Sequence, residues 1–219
     1  MNYILKFVKS PVATLREEEL SFKDAVLLLA VLPFAAFLAI WSLINRLIPT
    51  FIMIISGAMG GLGSLILPSN PENLHADAMA ATNWSGIFVE ILLLVAVWFL
   101  LMMFVPVLAA KIFKCHKKIC LQKLFIQTTV LTIPMSTMLL VATVFGFIGL
   151  PLWFLAVIIA LIIPILLQFF VVGTTWKLGS DKSVYIVIIT QIVVIIIAGL
   201  LFASLAAGIG NSLMGSLFL

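Results

Sequence analysis

From residue 124 to residue 176 the chain carries no charged side chain, an uncharged run of 53 residues. A helix crosses the roughly 30 Å hydrocarbon core of a bilayer in about 20 residues. The run is therefore too long for one crossing and fits two with a turn between them. FIGLP, Phe147–Pro151, supplies the turn, with Gly149 and Pro151 as punctuation. The two spans are then Leu124–Phe147 and Pro151–Val172. Three further uncharged or nearly uncharged runs, Ala25–Ile44, Ile87–Ala110 and Val184–Ala207, are each long enough for one crossing.

Composition rules out the alternatives. The chain is 64% hydrophobic and 9% charged, against roughly 25% charged for a soluble domain. A soluble core of this size has no room for that much apolar surface. Backbone groups in hydrocarbon must be paired within the protein, so the spans are helices or a closed barrel. Barrel strands alternate in polarity, and these runs do not. The expected class is an all-α integral membrane protein with five transmembrane helices. The first run ends in Arg46 without a small-residue cleavage pattern, so it is expected to span rather than to act as a signal peptide.

Orientation follows from the loop KIFKCHKKICLQK, which holds Lys111, Lys114, Lys117, Lys118 and Lys123 and no acid. Short basic loops stay on the cytoplasmic side. Five crossings with the amino terminus inside put every Lys and Arg except Arg46 in the cytoplasm. The carboxyl terminus is then outside. The same lysines are expected at anionic lipid headgroups, each contributing about 1 kcal/mol. Residues 1–23 are expected to form a cytoplasmic amphipathic segment, and 47–86 an outer loop. Within that loop Leu47–Pro68 carries Gly57, Gly60, Gly61 and Gly63. Glycine weakens a helix by about 1 kcal/mol relative to alanine. The stretch is therefore expected to be a broken, re-entrant or interfacial element. Allowing it to cross would put the five-lysine loop opposite the amino terminus and break the charge bias.

Few residues offer chemistry. Glu90 is the one acid inside an apolar run, which makes it a functional candidate by default. It could bind a proton or cation, or form a structural ion pair with Arg46 at a similar level. Gln127, Gln168 and Gln191 fall in the inner halves of the last three spans, near Thr128, Thr129, Thr132 and Thr190. They either line a polar cavity or bond between helices, at about 1 kcal/mol per bond. Gly199, Ala203, Ala207, Asn211 and Gly215 recur at steps of four, beside Ser204, Gly208, Ser212 and Ser216. Such stripes let helices approach closely, either within the bundle or against a partner helix.

Catalytic signatures are missing. The sequence has no HExxH, G-x-S-x-G or glycine-rich phosphate loop, so no enzyme activity and no cofactor is expected. Cys115, His116 and Cys120 offer three of the four ligands a structural zinc needs, and no metal site is assigned to them. The basic residues flank apolar runs instead of forming an arm, so nucleic acid is not an expected partner.

The run LFIQTTVLTIPMSTMLLVATVFGFIGLPLW, Leu124–Trp153, leads into an apolar span ending FFVVGTTWKLGSDKSVYIVIITQIVVIIIAGLLF, Phe169–Phe202. A proline-bearing third span, a short inner loop with the string Ser180-Asp181-Lys182-Ser183-Val184-Tyr185, and a last span resemble the Yip domain family. The start FVKSPVATLREE is similar to its bacterial members. The long acidic cytosolic arm of eukaryotic members is absent. The resemblance implies a five-span, non-enzymatic protein acting through membrane partners, in some bacterial members ABC exporters that defend the envelope. It carries over no catalytic residue. The expected function is an accessory or scaffold protein of the bacterial cytoplasmic membrane, or of ER or Golgi membranes in a eukaryote, with a homo-oligomer also open. The alternative is a small transporter or channel using Glu90 or the glutamines.

Overall fold

In a computed structural model of the chain, residues 21–59, 76, 79–80, 82–113, 121–176 and 180–218 are described. Among them the protein is all-helical, with α1 Phe22–Met59, α2 Trp84–Ile112, α3 Leu121–Ile148, α4 Leu150–Trp176 and α5 Ser180–Phe218. All five are long and apolar enough to cross a bilayer, over Phe22–Thr50, Trp84–Ile112, Leu121–Ile148, Leu150–Gly173 and Asp181–Gly208. Each stretch contains one of the five spans expected from the sequence. Large apolar side chains such as Leu93, Leu108, Phe154, Ile195 and Leu200 stand exposed around the bundle, as hydrocarbon-facing residues of a multi-pass membrane protein do.

The helix starts are written in the sequence. Ser21 Oγ accepts from the Asp24 amide (3.2 Å) and donates to the Asp24 carboxylate (2.7 Å), a reciprocal cap for α1. Asn83 Oδ1 accepts from the Gly86 amide (3.0 Å) at the start of α2. Between α3 and α4 the chain reverses at Gly149, whose amide donates to the Phe145 carbonyl and whose carbonyl accepts from Trp153. The FIGLP turn is therefore tighter than five residues.

The first span is longer than expected. Arg46 does not end the helix: α1 has 38 residues, about 57 Å at 1.5 Å per residue. Residues 47–59, assigned from their glycines to a broken element, continue α1 through Pro49 and Gly57. Extending a formed helix costs far less than starting one, and Thr50 Oγ1 adds a bond to the Arg46 carbonyl beside Pro49 (2.9 Å). Residues 60–68 of that expected element lie outside the described residues, as do 1–20 of the expected amphipathic segment.

The packing divides into two layers. α1 packs most extensively along α3, and α3 along α4; α2 packs along α5, and the pair meets the other three along a seam. Seven consecutive residues of α3, from Gln127 to Ile133, are all buried. Two full turns with no exposed side mean that α3 is surrounded at that level. At the end of the bundle that carries Lys23, Lys111, Lys123 and Lys182, Phe99, Leu124, Val172 and Ile186 form one core cluster. Near the other end Ile44, Ile48, Ile87 and Ile91 join α1 to α2.

A close helix contact lies toward the end of the bundle that carries the α3–α4 turn. Ala35 and Ala39 of α1, Ala142 of α3, and Ala156 and Ala160 of α4 are buried together with Leu32, Leu139 and Trp153. Gly146 sits where a Cβ would lie 2.5 Å from Ser42 Oγ, 2.9 Å from Ser42 Cβ and 3.2 Å from Trp153 Cδ1. The Ala39 carbonyl accepts from Trp153 Nε1 (3.0 Å) and from Ser42 Oγ (2.8 Å). Three helices thus meet on one carbonyl and one glycine.

Candidate functional site

The strongest polar feature lies on the seam. Gln168 of α4 and Gln191 of α5 face each other, and Gln191 Nε2 donates to Gln168 Oε1. The same Gln191 nitrogen contacts Met102 Sδ of α2 at 3.8 Å. Apolar clusters bracket the pair. Leu124, Val172, Ile186 and Val187 pack on one side, and Met102, Leu131, Val171 and Val194 on the other. Each of these α3, α4 and α5 residues is within about a turn of Gln127, Gln168 or Gln191. The three glutamines therefore lie near one level of the bundle. Gln127 and Gln168 are buried.

The threonines behave differently from expectation. Thr128, Thr129, Thr132 and Ser136 donate to the carbonyls of Leu124, Phe125, Thr129 and Thr132, and Thr190 to that of Ile186. Every one of these hydroxyls bonds to its own helix. In hydrocarbon a hydroxyl finds the nearest acceptor, and the carbonyl three or four residues back is always present. The hydroxyls are thereby satisfied without tying helices together. The Gln168–Gln191 bond is a polar link between the two layers. Gln168 Nε2 is among the buried side-chain atoms with no hydrogen-bond partner, in a side chain 2% exposed.

At the opposite end, Arg46 and Glu90 are both exposed, and no ion pair joins them among the described residues. Their levels agree with expectation, since Ile44 and Ile48 pack on Ile87 and Ile91. Their side chains do not meet. Glu90 turns instead to α5, where its carboxylate oxygens lie 3.7 and 3.8 Å from the Cβ position of Gly208. An exposed, unpaired carboxylate clamps nothing. Glu90→Gln is accordingly expected to leave the melting temperature within about 2 °C of wild type, since exposed substitutions stay near ±0.5 kcal/mol. A larger drop in a thermal melt restores the clamp.

The small-residue stripe is on α5, and its described part faces outward. Gly199, Ala203 and Ala207 are exposed, and a Cβ added to Gly199 meets nothing within 4 Å. Asn211 and Gly215 continue the same helix. Internal packing, the blander of its two expectations, is instead carried by small residues the sequence analysis passed over: Ala35 and Ala39, Ala142 and Gly146, Ala156 and Ala160. Each pair is spaced by four, so the signal was present three times.

Of the lysines expected at headgroups, Lys111 ends α2 and Lys123 begins α3; Lys114, Lys117 and Lys118 lie outside the described residues, as do Cys115, His116 and Cys120. No protein-family model, no curated protein and no solved structure matches this chain.

Proposed function

We propose that this chain is a non-enzymatic, multi-pass accessory or scaffold protein that works by helix-to-helix contact with another integral membrane protein. The observation that carries this is the open face of α5. Gly199, Ala203 and Ala207 are exposed, on a part of α5 beyond Val194, its last buried residue among those described, and a Cβ added at Gly199 meets nothing within 4 Å. Lipid gains nothing from a flat face of small residues, whereas a second helix can bring its backbone close there. The Yip-like resemblance, which rests on Leu124–Trp153, Phe169–Phe202 and the start FVKSPVATLREE, implies an ABC exporter as the partner. It also implies the bacterial cytoplasmic membrane, or an ER or Golgi membrane in a eukaryotic cell. The lysine-bearing end of the bundle is then the cytoplasmic one.

The test is affinity purification of tagged protein from its own membrane in mild detergent. We expect a stoichiometric integral membrane partner that is lost, by at least tenfold, on Ala203→Leu or Ala207→Leu. Both variants should melt with wild type, because the added carbons enter open space. A partner retained by both variants, or no partner at all, overturns the proposal. The rival reading, a small transporter using Glu90 or the glutamines, finds less support in the geometry. Hydroxyls turned to their own helices and glutamines wedged between apolar clusters do not line an open path.

A further inference from the structure

The seam holds more polar capacity than the protein itself uses. Gln168 has two amide protons in a side chain 2% exposed, and neither has an acceptor. Its oxygen is already engaged by Gln191. The apolar cluster Val171, Leu131, Met102 and Val194 within about a turn of this layer offers it no strong acceptor. The hydroxyls of Thr128, Thr132 and Thr190 have given their protons to backbone carbonyls. Their oxygens can still accept. Buried amides left without a partner are rare, and those present in folded proteins are usually met by ordered water.

We infer that the layer between Gln168, Gln191 and Met102 is a binding site for one water molecule, held by Gln168 Nε2 on the seam between the two helix layers. Water fits where other ligands do not. No charged side chain is near this level among the described residues, so neither a metal ion nor an inorganic anion finds its counter-charge. Turning the Gln168 amide by 180° would set its Nε2 against Gln191 Nε2, two donors, so the bond from Gln191 fixes Nε2 as the group that faces the site. Water can accept from it. A site of this kind also explains why a polar layer persists between two apolar clusters. The water completes the hydrogen bonds of the glutamine pair that joins α4 to α5.

Met102 is a built-in reporter. It is 2% exposed, so hydroxyl radicals formed in bulk solvent do not reach it. Radicals formed from a water bound beside it do. X-ray radiolytic labelling of the intact protein in detergent, read by mass spectrometry of the Met102 peptide, tests the site. We expect Met102 to be oxidised in wild type, and the rate to fall at least fivefold in Gln168→Met, whose side chain is unbranched and has no donor. Gln168→Leu serves if the first variant does not fold. An unlabelled Met102 in wild type overturns the proposal without any variant. So does a rate that either folded variant leaves unchanged.

Discussion

Gly146→Leu should cost the bundle about 3 kcal/mol, at the upper end for an overpacked core, or a fall of about 6–12 °C in melting temperature at this chain length. The reason is distance. Even the first carbon of the new side chain would lie 2.5 Å from Ser42 Oγ and 2.9 Å from Ser42 Cβ. Ser42 Oγ cannot simply swing aside, because it donates to the Ala39 carbonyl, and the Cβ contact remains in any rotamer. The remaining escape is to move α1 away from α3, which opens the contact along Ala35, Ala39 and Ala142. Gly146→Ala should show a smaller loss of the same kind. Adding Ser42→Gly should return at least half of it, less the cost of about 1 kcal/mol for glycine inside a helix. Gly199→Leu is the control: with nothing within 4 Å of its Cβ, it should melt with wild type. Thermal melts in one detergent decide the matter, and equal losses at Gly146 and Gly199 would overturn this account of the packing.

That pair of glycines also marks what the sequence can and cannot disclose. Both stand in small-xxx-small spacing, Ala142 with Gly146 and Gly199 with Ala203. Spacing says that a helix face is flat; it does not say whether a helix covers it. Coverage depends on which helices are neighbours, and α1 beside α3 and α4 is a fact of the whole bundle. The spans themselves were legible because charge and hydrocarbon act on each segment separately. The length of α1 was not. Arg46 and the glycines after it were read as a stop, yet a charged side chain leaves hydrocarbon without ending the helix that carries it. Glu90 followed the same logic. Its level could be deduced from the spans, but its direction could not, and it faces Gly208 of α5 rather than Arg46. The glutamines were assigned to the inner halves of their spans from position alone; that Gln191 bonds to Gln168 is a fact of the bundle. That the threonines would turn to their own carbonyls was available from residue chemistry and was missed.

Trp153→Ala should be the most damaging single truncation, at about 3 kcal/mol. Large-to-small changes of an aromatic residue in soluble cores cost about 3–5 kcal/mol, part of it the transfer of apolar surface from water. That part falls away here, since the competing solvent is lipid, and the estimate takes the lower end. What remains is the cavity and the lost contacts of a ring packed among Leu32, Ala39, Leu139 and Ala156. The indole also donates to the Ala39 carbonyl across 114 positions of chain. Trp153→Phe isolates that bond and should cost about 1 kcal/mol. A coupled pair completes the test. Trp153 Cδ1 is one of the three atoms that a Cβ at Gly146 would meet. Gly146→Ala should therefore cost less when Trp153 is already alanine, by at least about 0.5 kcal/mol, the margin beyond which sites count as interacting. Losses that simply add in thermal melts of the two single variants and the double would mean that α1, α3 and α4 do not meet at this one point.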